Sequence, residues 1–448
     1  MNSLKKTLSL PDLAEYMVTM GLKKGADEIE VAVQEGIEFS VDIRLGEIEN
    51  LIEAGSRYVS FRLIKDDKVA SATSSDLDIN TLEQLLERAL VRASLANPDP
   101  FSGLPELDNP PVEPADLHLY DPAVPELSSE SKIALALKTE ALALESKEIS
   151  NSHGCSFETR EIMSALANSQ GFMSFYPETF CLLGVGLQAG DTNNLVEGSW
   201  SSSQRFFQDL ETPEDIAQRA VFRTLRQLNP RKIATQKVPV IFEPAMTSWL
   251  MGFLFSCVSG VSIFNHASFL VDRLGTEVGN KLIHVIDDGL LPGKLGSAPF
   301  DSEGVPCRRT ELITGGILNN YLCNTYAAKK LNLKSTGNSA GSGVGPSNFF
   351  LEAGNSPPQA MIQSLDKGLI LIRVLGHGLN PITGDISRGA FGLWVEKGEI
   401  VYPVSEMTIS GNLGTILNET EMVGNDLEFR SPVCGPSIRI AELTLAGT

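Results

Sequence analysis

The sequence predicts an α+β protein: an N-terminal domain of helices and antiparallel strands, a middle α/β segment, and a C-terminal, mostly-β domain built around a buried helix. Three observations carry this. Residues 39–45, Phe-Ser-Val-Asp-Ile-Arg-Leu, alternate apolar and polar without a break, the period of a strand with one wet face. Segments with helical period, 10–21 and 78–95, flank that region. Residues 238–264 run from a β-branched stretch through Glu243-Pro244 into an almost wholly apolar segment, which reads as strand, turn and enclosed helix.

Each element has its own signal. Leu10-Pro11-Asp12 opens the first helix, with Leu13, Met17 and Met20 on one face. Residues 29–34, 39–45, 48–54, 57–65 and 68–73 read as strands, with breaks at Gly46-Glu47, Gly55-Ser56 and Asp66-Asp67 short enough for hairpins. The helix at 78–95 turns Leu82, Leu85, Leu86 and Ala89 inward, closing a domain at residues 1–96. Eight prolines between 97 and 125 mark 97–127 as a linker or an arm laid over a surface. The middle region, 128–230, holds a helix at 128–144 and strands at 156–166, 171–175 and 180–188, followed by a polar Ser-Trp-Ser-Ser-Ser-Gln stretch. Thr212-Pro213-Glu214-Asp215 then starts a helix, with Thr as N-cap and Asp placed to return the capping bond. The last domain, 231–448, follows the strand and helix of 238–264 with short strands at 281–287, 309–313, 368–375, 391–397 and 399–404. Its glycine-rich run at 335–346 reads as a mobile loop.

Composition narrows the function. A charge of −20 over 448 residues opposes a surface that binds nucleic acid by neutralising phosphates. The apolar run at 249–264 is interrupted by Ser256, Ser259 and Ser262 and is shorter than the ~20 residues a bilayer core requires, so no membrane span is expected. Lys5 and Lys6 precede a segment too short and polar for a signal peptide, and the chain is expected to stay in the cytoplasm. The six cysteines (155, 181, 257, 307, 323, 434) form no C-x-x-C pair and suit reduced thiols.

No catalytic constellation stands out. There is no His-Glu pair for a zinc helix, and His118, His153, His266, His284 and His377 are far apart. There is no G-x-S-x-G elbow and no phosphate-cradling G-K-[ST]. The G-x-G fragments at 184–186, 341–343 and 376–378 lack dinucleotide-fold context and suit turns or close packing. From the residues alone, no catalytic and no metal-ligating residue is named.

Several segments carry a resemblance. They are Pro-Phe-Asp-Ser-Glu-Gly-Val at 299–305, Leu-Lys-Ser-Thr-Gly at 333–337, Gly-Asn-Asp at 424–426, and above all the long block 382–413 that begins Ile-Thr-Gly-Asp-Ile-Ser-Arg-Gly-Ala-Phe-Gly-Leu-Trp-Val. With 36–50, 71–77 and 228–240, they resemble the TldD/PmbA family over nearly the whole chain, a family also known as modulators of DNA gyrase. The resemblance implies a heterodimeric zinc metalloprotease that acts on unfolded or extended peptides. In it, a TldD branch carries a His-Glu-x-x-x-His helix and a cysteine, and a PmbA (TldE) branch lacks the helix ligands. Carried across, the helix motif falls at 252–257, Gly-Phe-Leu-Phe-Ser-Cys, while Cys434 matches the family's cysteine position. The chain is thus similar to the PmbA/TldE branch.

That implies a non-catalytic subunit without a cofactor of its own, zinc being expected in a TldD-type partner. The expected partners are that protease subunit in a heterodimer, or a second copy in a homodimer, together with peptide substrates. Thr336, Gly337, Asn338, Ser387, Arg388 and Gly389 are candidates for the peptide path. The alternatives are a stand-alone metallopeptidase completed by Cys434 and a distant histidine, and a non-enzymatic homodimer that binds peptides or modulates gyrase.

Overall fold

Ser9 caps the first helix by accepting a bond from the Asp12 N–H, and the chain then enters a sheet that runs through the whole first half. The computed structural model describes residues 8–106, 113–191 and 194–447. Lys5, Lys6 and residues 107–112 of the proline-rich arm lie outside them.

The first half comprises α1 (Leu10–Lys23), β1 (Glu28–Arg44), β2 (Glu47–Lys65), β3 (Lys68–Ser74), α2 (Ile79–Leu95), α3 (Ala123–Glu126), α4 (Ser129–Leu144), β4 (Ile149–Asn168), β5 (Met173–Ala189), β6 (Val196–Gln204) and α5 (Pro213–Leu225). Its strands form one antiparallel sheet in the order β3-β2-β1-β4-β5-β6. The sheet crosses from 1–96 into 128–230 without a break, because β1 pairs with β4. One face is covered by helices. Val31 and Val33 lie under α1 and α2, while Phe39, Val41 and Ile43 lie with the buried residues of α4 and α5.

Two expected turns are absent from the ladder. Gly55 pairs with Ile37 and Ser56 with Gly36, so β1 and β2 continue through a point where the sequence suggested a hairpin. Pairing on both sides of β1 carries the ladder through this point, and Gly36 admits a close approach there: a Cβ on it would lie 3.0 Å from the Glu161 carbonyl oxygen. The strands expected at 171–175 and 180–188 are likewise one strand, β5, through Pro177. That proline sits where β6 does not reach, so its missing N–H costs no bond on that side. The polar Ser-Trp-Ser-Ser-Ser-Gln stretch belongs to edge strand β6. The Thr212 cap forms as expected, accepting from the Asp215 N–H.

The second half comprises β7 (Gln236–Phe242), α6 (Pro244–Val258), α7 (Gly260–Phe264), β8 (Val285–Asp288), β9 (Arg309–Thr314), β10 (Ile317–Leu318), α8 (Thr325–Leu331), β11 (Ser339–Ala340), β12 (Gly343–Val344), β13 (Phe349–Leu351), α9 (Pro358–Gln363), β14 (Lys367–Leu375), β15 (Leu379–Asn380), β16 (Asp385–Glu396), β17 (Glu399–Asn412), α10 (Leu413–Asn418), β18 (Thr420–Val423), β19 (Val433–Cys434) and β20 (Ile438–Ala446). Strands β14-β7-β20-β17-β16 close on themselves as a barrel, because β16 also pairs with β14. A second sheet runs β10-β9-β8-β13-β19. Alternate residues of β7 and β14 (Val240 and Phe242, Leu369 and Leu371) join Leu250, Leu254 and Val258 of α6 in the largest core.

Arginine side chains fasten the halves together. Arg205, 4% exposed, donates to the carbonyls of Lys294, Leu295 and Ser297 and pairs with Glu178. Arg62 bridges Glu30 on β1 and Glu303 in the second half. The arm packs as a strap: Tyr326 on α8 donates to Asp99, and Lys330 lies over the Phe101 ring.

Candidate functional site

Helix α6 starts directly at the end of β7, with Pro244 in its first turn, where a missing N–H costs nothing. It buries Met246, Thr247, Leu250, Met251, Phe253, Leu254, Cys257 and Val258. Full enclosure was expected, but Ala245, Ser248, Trp249, Gly252, Phe255 and Ser256 form a partly open stripe down one side. Beside it stands β16. The Arg388 guanidinium lies 5.6 Å from the Trp249 ring centre, and its Nε donates to the Leu375 carbonyl. Of the sequence-predicted path residues, Ser387, Arg388 and Gly389 are therefore carried on the strand that faces this stripe.

The positions that match the family's zinc motif can be tested against a metal. Gly252 offers no side chain, and a Cβ built there meets nothing within 4 Å. Phe253 is buried in the core and has no donor atom. The Cys257 thiol is fully buried in the core, and desolvation pushes its pKa up to about 12. Cys434 is 2% exposed, and its Sγ donates to the Ser431 carbonyl at 2.9 Å. Its neighbour Gly435 packs on α6, since a Cβ there would lie 2.4 Å from Thr247 Cγ2. The family's cysteine position thus adjoins α6, but this donor set does not fit zinc.

The glycine-rich run is a hairpin, β11–β12, rather than a free loop, and its base is buried. Asp287 Oδ2 accepts from Asn338 Nδ2 at 2.6 Å, and Asp287 Oδ1 accepts from the Ser347 N–H at 2.9 Å. Asp301 accepts from the N–H groups of Glu303, Val305 and Ser339. Thr336 Oγ1 accepts from the Cys323 N–H and bonds Asn338 Oδ1, and Gly337 has a φ of 77°. Burial pushes the carboxyl of Asp287 up to about 6 and that of Asp301 up to about 7, Glu303 adding to the second. Thr336, Gly337 and Asn338 are therefore anchoring residues of the hairpin, and Gly341 and Ser342 form its exposed tip.

One feature escaped the sequence. A cleft of about 890 Å³ opens where the first turn of α6 meets α5 and β6. Arg219 and Arg223 from α5, Arg226 just after it, Arg430 and Trp200 line one side, and Ile400, Val401 and Tyr402 of β17 line the other. Glu243 takes Arg226 in a two-pronged pair at 2.6 and 2.8 Å. No local pattern announces this cluster, because its members lie up to 230 positions apart and only the fold gathers them.

Comparison with known proteins agrees with this architecture. The chain matches the models of three successive domains, PmbA/TldA metallopeptidase domain 1 at residues 29–93, the central domain at 122–228 and the C-terminal domain at 235–447. It is 35% identical to the metalloprotease PmbA of Escherichia coli over 423 residues, covering 94% of this chain and 93% of that one. It is 33% identical to the PmbA homologue of Haemophilus influenzae, covering 98% and 96%. Among solved structures, a Thermotoga maritima protein described as a candidate modulator of a DNA gyrase superposes with a TM-score of 0.90 at 26% identity, covering 98% of this chain and 100% of that one. TldE of Thermococcus kodakarensis, at 23% identity, shares the fold with a TM-score of 0.88, covering 97% and 100%. The chain belongs to the PmbA/TldD metallopeptidase family.

Proposed function

We propose that this chain is the PmbA/TldE-type subunit of a two-chain metallopeptidase. In this reading a TldD-type partner carries the zinc, and the present chain helps to enclose the path of an unfolded or extended peptide. The observation that carries it is the α6 stripe: open space stands at Gly252, while Phe253 and Cys257 are turned into the core. Such a stripe can take the main chain of a substrate and cannot activate a water. Arg388 beside Trp249 and the hairpin tip at Gly341–Ser342 are the parts of this chain that would meet the peptide, by main-chain pairing or stacking tolerant of sequence.

Mixing tests it. Turnover of an extended peptide should be absent with this chain alone and present with a TldD-type chain added. Turnover by the isolated chain, or a failure of the two to associate, would overturn the proposal. Shortening the hairpin tip in the mixture should lower turnover, and an unchanged rate would remove the hairpin from the path.

A further inference from the structure

Among the described residues, seven buried side-chain polar atoms have no hydrogen-bond partner in the chain, and three of them belong to residues that line one small cleft. They are Arg226 Nε and Arg373 Nε, two donors, and Gln227 Oε1, an acceptor. The cleft, of about 400 Å³, lies at the joint of the two halves, where the C-terminal end of α5 and strand β6 meet α6 and β14. It is a separate opening from the larger one around Trp200, with which it shares only Arg223 and Arg226. Buried polar groups are nearly always satisfied, and where the chain supplies no partner an ion or a water does.

The arrangement leaves each of the three atoms unspent for a visible reason. Gln227 is 6% exposed, and its Nε2 donates to the carbonyls of Glu197 and Arg223 at 2.7 and 2.8 Å. Two carbonyls on that side fix the amide, so the unpartnered end is the oxygen. Arg226 gives both terminal nitrogens to Glu243, and its Nε remains. Arg373 lies 4.0 Å from the Phe391 ring centre and reaches Glu197 only at 3.5 Å through the carbonyl and 3.8 Å through the carboxylate.

Charge at this opening is near balance; hydrogen bonding is not. Arg223, Arg226 and Arg373 stand against Glu197 in the lining and Glu243 outside it. Glu197 is more than half exposed and lies 3.5 Å from His153, the one other titratable group of the lining. Burial lowers the pKa of Arg373 by more than Glu197 raises it. The same holds for Arg223 against Glu243, with Arg226 and Arg430 adding to the lowering.

A ligand that answers these atoms has to accept from guanidiniums at more than one point and donate once to an amide oxygen. A tetrahedral oxyanion that keeps an O–H does both. Hydrogen phosphate has at least one O–H at neutral pH, and sulfate has none.

We propose that this cleft binds hydrogen phosphate, whose oxygens accept from Arg226 and Arg373 and whose O–H donates to Gln227 Oε1. The anion ties the end of α5 to β14 across the joint of the halves. The site is built by this chain alone and is independent of any peptidase partner.

The test titrates the full chain with sodium phosphate and, separately, sodium sulfate by isothermal calorimetry, at neutral pH and constant ionic strength in a buffer free of both. Phosphate should bind saturably, and sulfate at least about tenfold more weakly, because it leaves the buried amide oxygen unpaired. Arg373→Gln should weaken phosphate binding about tenfold, a charge-assisted bond being lost. The polar contacts of Arg373 within the chain are long, so this variant keeps the fold. Gln227→Met should bring phosphate and sulfate to within about threefold of each other, a ratio that lost packing alone would not move. No saturation below about 10 mM phosphate would show that water alone serves these atoms and would overturn the proposal. Equal binding of phosphate and sulfate, undiminished binding by Arg373→Gln, or an unchanged ratio in Gln227→Met would overturn it as well.

Discussion

The open stripe of α6 and the base of the glycine-rich hairpin are opposites within one domain. Beside Gly252 there is space, and no polar side chain on the helix fills it. At Asp287 and Asp301 there are carboxylates, and every oxygen is already taken by Asn338, Ser347, Ser339, Glu303 or Val305 in a buried setting. A site needs both room and unspent donors or acceptors. The stripe has the room, and the hairpin base has acceptors that are all spent, which makes one a guide for a ligand and the other a fastening.

Three measurements would sharpen or break this contrast, in falling order of effect. The fastening should be pH-sensitive. Asp287 and Asp301 hold their protons in the folded state up to about 6 and about 7, above the ordinary value of 3.8. Their contribution to stability is therefore complete below the unfolded value and is lost as the pH rises through the folded values. Between about pH 5 and about pH 8 the free energy of unfolding should fall by on the order of 3 kcal/mol, measured by urea titration. Asp301→Asn should flatten the dependence, and an unchanged slope with pH would show that these carboxyls are ionised throughout. Next, Gly435→Ala forces a methyl against Thr247 and should cost about 1–3 kcal/mol, read as a lower urea midpoint. Smallest is Gly252→Ala. With open space around it and a helical backbone to favour it, this variant should gain about 0.5–1 kcal/mol. A loss there would mean that the stripe is not open.

Local signals in the sequence were readable where local physics decides. The Thr212 cap, the Pro244 helix start and the alternation of 39–45 each depend on residues within a few positions, and each forms. The matching of Gly252 and Cys434 to a family motif also located α6 and the segment packed on it. The failures have long-range causes. Gly55 and Pro177 look like breaks because glycine and proline usually are, yet one is held in register by β1 and the other lies where its neighbouring strand has ended. The run 335–346 reads as mobile because nothing within it shows that Asp287 and Asp301, far earlier in the chain, bind its base. Arg219, Arg223, Arg430 and Trp200 become a cluster only when α5, β6 and the segment before β19 come together.

The central claim is that the donor set of this chain does not hold the family's metal. The most direct test is the metal content of the chain purified alone without chelators, by plasma mass spectrometry. The account predicts zinc well below one equivalent, unchanged by Cys434→Ala. A full equivalent that disappears on Cys434→Ala would contradict it and place a metal centre on this chain.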